Sequence, residues 1–243
     1  MNAEKKIALV TGGNKGVGKE IARQLAEAGL TVWLGSRDLE RGELAAQELA
    51  AAGDVRVLSL DVTDEVSVAA AAARVEQESG VLDVLVNNAG TSFPQDEAFP
   101  SSIALKTIRD DFEVNFYGPL RVIQAFLPLV RNAEAGRVVN VSSTMGSLTV
   151  LSAPNSPLVG APVFAYPASK TALNSLTAWL AAELRNTAIK VNSVCPGMNA
   201  TDMNSNPDAQ HPSHGAEVAV RAATLPADGP TGTFFDLNGP VPW

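Results

Sequence analysis

Residues 6–18 read KIALVTGGNKGVG. A short apolar run stops at a glycine-rich turn, and the turn opens into a segment with helical spacing. Buried parallel strands have this form. Gly12, Gly16 and Gly18 let the backbone bend sharply and come close to a ligand. The free N–H groups and positive dipole end of the helix that follows attract an anion. Strand, glycine turn and helix in that order predict a pyrophosphate site over Gly12, Asn14, Lys15, Gly16, Val17 and Gly18.

The same alternation continues along the chain. A helix over 16–28 stops at Gly29, and TVWLG (31–35) is a second strand. A helix over 39–52 stops at Gly53, and VRVLSL (55–60) is a third strand. An alanine-rich helix over 64–78 precedes the strand LDVLVNN (82–88). A long helix near 103–131 leads to GRVVNVSS (136–143). A Ser- and Pro-rich loop over 144–164 leads to a helix from Tyr166 to about Asn186, then to IKVNSVCPG (189–197). A polar loop over 198–214, a short helix and a strand near TGTFFDL (231–237) close the pattern. Strands alternating with helices predict an α/β fold: a doubly wound, seven-stranded parallel sheet of the Rossmann type with helices on both faces. No linker divides the chain, so residues 1–243 are expected to form one domain. Ligands of such sheets bind beyond the carboxyl ends of the strands.

Composition narrows the function. The chain has 243 residues, 46% of them hydrophobic, which is ample for a large core. A net charge of −8 argues against nucleic acid or an anionic membrane as partner. No apolar run is long enough to span a bilayer, and the charged lead MNAEKK lacks the form of a signal peptide. One cysteine, Cys195, permits no internal disulfide, so a cytoplasmic location is expected. Two histidines and one cysteine make a metal site an unpromising expectation.

The stretch AYPASK (165–170) carries the chemistry. Tyr166 and Lys170 stand four apart at the start of a helix, so they share a face. The order TGxxxGxG (11–18), NNAG (87–90), NVSS (140–143) and YxxxK (166–170) resembles the short-chain dehydrogenase/reductase family over essentially the whole chain. TGGNKGVG, GSRD and the ending FFDLNGPVPW resemble the carbonyl reductases within it. The resemblance implies hydride transfer between a nicotinamide nucleotide and a carbonyl. Tyr166 would be the general acid in reduction, with its pKa lowered by the Lys170 ammonium, which would also hold the nicotinamide ribose. Ser143, selected by the family pattern S-x-x-G (143–146), would donate to the substrate oxygen; Ser142 is the competing choice. Asn115 would hold a relay water through its backbone carbonyl. Pro119, four residues on, has no N–H to offer that carbonyl.

The cofactor expected is NADPH. Ser36, at the end of the second strand, is uncharged where an acid would select a free ribose hydroxyl. Lys15, Arg37 and Arg41 would surround a 2′-phosphate. Asp38 reads better as a helix cap. The resemblance places Asp61 and Val62 beside the adenine, Asn88, Ala89 and Gly90 under the ribose, and Pro196, Gly197 and Thr201 against the nicotinamide and phosphates. Asn88 is expected to be structural as much as ligand-binding.

Phe93, Met145, Leu148 and Met198 are expected to flank an apolar pocket for a small carbonyl substrate. The loops 144–164 and 198–214 would shape it, the second as a lid. His211 and His214 read as solvated loop residues, and Cys195 as a buried strand residue. The first loop is longer than in compact family members, which favours a monomer or a weak homo-oligomer. A 3-oxoacyl-thioester or hydroxysteroid reductase is the alternative enzyme, and a nucleotide sensor the alternative without chemistry.

Overall fold

In the computed structural model, which describes residues 5–204 and 206–243, the chain alternates strand and helix as expected. The lead Met1–Glu4 and Ser205 of the second loop lie outside the described residues. The elements run β1 (Ile7–Thr11), α1 (Gly16–Glu27), β2 (Thr31–Ser36), α2 (Leu39–Glu48), β3 (Val55–Ser59), α3 (Glu65–Ser79) and β4 (Val84–Asn87). There follow α4 (Leu105–Phe112), α5 (Gly118–Asn132), β5 (Arg137–Val141), α6 (Leu148–Ser152), α7 (Ala165–Glu183), β6 (Lys190–Val194), α8 (Pro212–Ala223), β7 (Phe234–Asp236) and β8 (Gly239–Pro240).

The strands join one sheet in the order β3-β2-β1-β4-β5-β6-β7-β8. Pairing is parallel except for β7 with β8. That last pair corrects the expected seven strands to eight. The Asp236 carboxylate accepts from the Asn238 and Gly239 N–H groups, and Gly239 takes φ +136°, so the chain folds back in a hairpin. Alternating side chains split the core in two. Ala8, Val10, Val84 and Val86 face Ile21, Leu25 and Ala219 of α1 and α8. Leu9 and Leu85 face Val75, Phe126 and Leu180 of α3, α5 and α7. No helix among the described residues is long and apolar enough to cross a membrane.

The long helix expected over 103–131 is broken. A π-helical turn over Glu113–Tyr117 separates α4 from α5, and the Gly118 N–H reaches back five residues to the Glu113 carbonyl. Pro119 explains it: without an N–H it cannot serve the Asn115 carbonyl, and the ladder widens by one residue. The loop over 144–164 also differs, since α6 forms ahead of its proline-rich part, capped by the Ser147 hydroxyl. The second loop ends sooner than expected, because Pro212 at the first helical position starts α8.

The order in which strands are added reverses between β1 and β4, and the carboxyl ends of these two parallel strands are tied together. The Thr11 hydroxyl accepts from the Asn88 and Ala89 N–H groups, and the Asn88 amide donates to the Thr11 and Gly12 carbonyls. The expected structural role of Asn88 is thus visible in its contacts. Gly18 packs against this tie: a Cβ there would lie 2.3 Å from both the Asn88 amide nitrogen and the Gly12 carbonyl oxygen. Gly18→Ala is therefore expected to destabilise the fold by roughly 2 kcal/mol, as overpacked sites do, read from urea unfolding.

Candidate active site

The glycine turn lies at the end of β1. Gly16 has φ +54°, and a Cβ there would come 3.2 Å from the Thr201 methyl, so the second loop rests on the turn. Behind Lys15, α1 begins with no side chain capping it, which leaves its first amides and positive dipole end to an anion. Asn14, Lys15 and Arg41 line one cavity of about 220 Å³ beside this helix end. Arg37 is exposed and is not among the residues lining it. The three cations lining the cavity are each held by a carboxylate: Lys15 by Asp202 at 2.6 Å, Lys19 by Glu48, which lines the same cavity, and Arg41 by Asp38 at 3.2 Å. Asp38 also accepts from the Arg41 N–H, the cap expected of it. Ser36 is buried and its hydroxyl donates to the Asp38 carbonyl.

Asp61 turns its carboxylate onto the Thr63 N–H and hydroxyl, while Asp64 caps α3. Val62 is buried and its carbonyl accepts from Arg121. Gly90 lies under two polar groups: a Cβ there would sit 3.2 Å from the Asn115 side-chain oxygen and 3.5 Å from the Lys170 nitrogen. The Pro196 carbonyl accepts from the Asn199 and Gln210 amides, and Gly197 takes φ +72°. These bonds fold the second loop back on itself ahead of α8. His211 caps α8, and His214 faces Glu217 at 3.2 Å.

Tyr166 enters from the first turn of α7, and Ser143 from the end of β5. Ser143 is near enough to act on the Tyr166 phenol and its hydroxyl accepts from the Met145 N–H at 3.2 Å, whereas the Ser142 hydroxyl is buried without a partner among the described residues. Strand alternation separates the serines as expected. The Lys170 ammonium stands 5.6 Å from the centre of the Tyr166 ring and donates to the Val141 carbonyl at 3.0 Å. Asn115 uses its side chain to join three segments. It accepts from the Thr91 N–H and donates to the Thr91 carbonyl and the Ser169 hydroxyl. Cys195 is buried just past β6, where its sulfur accepts from the Thr144 N–H. Met145 and Phe93 are half-buried, and Leu148 and Met198 are exposed.

The electrostatics correct one expectation. Tyr166 keeps part of its surface open, yet desolvation pushes its phenol up to about 12, with Ser143 working against the rise. Lys170 was expected to pull the phenol down. In the protein alone desolvation is the larger effect, and burial also lowers Lys170 itself, to about 8. The phenol is therefore held in its protonated, donating form.

Two carboxyl groups that sequence reasoning did not select complete the site. α7 has no local cap, because its N-cap residue is Phe164. Glu97 supplies one from a distant loop, accepting from the Phe164, Ala165 and Tyr166 N–H groups at 2.6, 3.0 and 2.8 Å. No local pattern announces this contact. Asp111 is fully buried on α4 and lies at i+4 spacing between buried Thr107 and Asn115, a face that the spacing could have disclosed. Glu97→Ala is expected to cost about 2 kcal/mol, since it strands three amides at a helix end, measured as a lower urea midpoint.

The glycine turn, the neighbouring Tyr166 and Ser143 hydroxyls and the Lys170 ammonium recur together in one large group of enzymes. A family model described as short chain dehydrogenase matches residues 6–212, and the chain belongs to that family. It is 35% identical to carbonyl reductase [NADPH] 1 of Mus musculus over the full length of both chains. It is 32% identical to (+)-neomenthol dehydrogenase of Capsicum annuum over 95% of each. Among solved structures, NADPH-bound carbonyl reductase from chicken fatty liver matches 99% of this chain and 100% of its own, with a TM-score of 0.85 and 25% identity.

Proposed function

We propose that the chain is an NADPH-dependent reductase that converts a small apolar aldehyde, ketone or quinone to an alcohol. The observation that carries this reading is the placement of the Tyr166 phenol with Ser143 beside it and Lys170 5.6 Å from its ring, at the carboxyl edge of the sheet. NADPH, when bound, supplies the hydride. Everything else falls to the protein. Ser143 and Tyr166 donate to the substrate oxygen, so negative charge developing there meets two donors. Tyr166 gives up its proton to that oxygen. Lys170 stabilises the resulting phenolate. The Asn115 carbonyl, which Pro119 cannot engage, is proposed to order a relay water for the proton that restores Tyr166.

The cofactor fits the residues present. The uncapped start of α1 suits a pyrophosphate, and the Lys15–Arg41 cavity suits a 2′-phosphate. Uncharged Ser36 offers nothing to repel that phosphate. Related carbonyl reductases carry NADPH in their names, which supports the same choice. We read residues 1–243 as one catalytic domain acting in the cytoplasm, as a monomer or weak homo-oligomer.

Initial rates with NADPH and NADH over a panel of aldehydes, ketones, quinones and acyl thioesters test the proposal. Rapid NADPH oxidation with an apolar carbonyl is expected. Turnover confined to acyl thioesters, or faster rates with NADH, would refute it.

A further inference from the structure

Two buried ionisable side chains beside Tyr166 lack an ion-pair partner among the described residues. Lys170 is 5% exposed, and its hydrogen bond goes to a neutral carbonyl. Asp111 is 0% exposed, and neither of its carboxyl oxygens has a hydrogen-bond partner among the described residues. The helices that carry them, α7 and α4, pack together. One turn beyond Asp111, the Asn115 amide bonds to Ser169, the neighbour of Lys170.

A buried charge without donors or a counter-charge is costly, and removing one partner of a buried pair leaves the other exposed to the full penalty. The ionisable groups near enough to interact with Asp111 are Glu97 from the loop before α4, Lys170 and Tyr166 from α7 and Asp110 from its own helix. Glu97 accepts three backbone N–H groups at the start of α7. Desolvation first, then Glu97, carries the Asp111 carboxyl up to about 7, and Lys170 draws it back. Lys170 in turn is raised by Asp111 and by Cys195 against its own desolvation. Each group thus favours the charged form of the other.

We propose that Asp111 is a positioning residue that acts through Lys170: its buried carboxylate is the counter-charge that keeps the Lys170 ammonium protonated. For catalysis this rests on the reductase reading above. If Lys170 loses its proton, Tyr166 loses the cation that stabilises its phenolate. The carboxylate therefore sets the upper end of the pH range over which the site works.

The direct test is titration of Lys170 by NMR of protein carrying 13C-labelled lysine, with Lys170→Met assigning the signal. In Asp111→Asn, which keeps shape and removes charge, the Lys170 midpoint is expected to fall by roughly one pH unit. Asp111→Leu is expected to give the same fall, so a folding defect in one variant does not decide the result. An unchanged midpoint in both would overturn the proposal. Stability gives a second readout. A carboxyl raised in the folded state stabilises the fold below its unfolded value, and that contribution is lost as pH rises through about 7. The parent's urea midpoint should therefore drop between pH 5 and 8, and the drop should shrink in Asp111→Asn; equal drops also count against the proposal. Neither readout needs turnover. The high-pH limb of kcat/KM for a reduced carbonyl should move down with the Lys170 midpoint. A titration that moves while the limb stays still would leave the Asp111–Lys170 coupling standing and overturn the role given to Lys170.

Discussion

Replacing Tyr166 with Phe should lower kcat/KM for carbonyl reduction by roughly 10²- to 10⁴-fold, the range supplied by a positioned general acid. The substitution removes one oxygen and keeps the ring. Glu97 still caps α7 through backbone amides, Lys170 still donates to Val141, and the packing of the helix is untouched. Ser143 alone would then face the developing negative charge, with no proton to deliver beyond its own weakly acidic hydroxyl. Cofactor affinity, followed by protein fluorescence, should stay close to that of the parent, because the phosphate cavity is built from other residues. The loss should therefore appear in kcat. Turnover that survives in Tyr166→Phe would move the acid elsewhere and defeat the mechanism.

The second large effect concerns cofactor choice. Lys15→Ala and Arg41→Ala should each reduce kcat/KM with NADPH by roughly tenfold or more, the worth of a charge-assisted hydrogen bond to phosphate, while rates with NADH change little. Both side chains line the same cavity beside α1. Each now binds a carboxylate, and both pairs are solvent-exposed. Exposed pairs contribute little, so a phosphate can displace Asp202 and Asp38 without a large penalty. Arg37→Ala serves as the comparison, since that side chain stands outside the cavity, and it should have the smaller effect. The NADPH preference of the parent should also weaken as salt is added. A ratio of NADPH to NADH efficiency that does not move in either cavity variant would show that the phosphate lies elsewhere.

What could be read from residue order is what local geometry settles. The turn at 11–18, the apolar runs that became β1 to β6 and the pairing of Tyr166 with Lys170 depend on neighbours within a few residues. Backbone freedom at glycine, alternation along a strand and the i, i+4 stack on a helix are properties of short segments. The missing donor at Pro119 was readable for the same reason, although the break that goes with it, a π-helical turn, was not expected from the sequence. The hairpin that adds β8 was missed because two residues carry too little pattern to register.

The electrostatics of the site were decided only by the tertiary structure. Glu97 caps α7 across 69 residues, and Asp202 meets Lys15 across 187. Asp111 reaches the surroundings of Lys170 because α4 lies against α7. Desolvation then reversed the sign expected for the Tyr166 phenol. Periodicity and spacing specify which groups exist and which face of an element they share. How far each is removed from water, and which charge it meets there, depends on elements distant in the chain, and those two quantities set the protonation states on which the proposed chemistry turns.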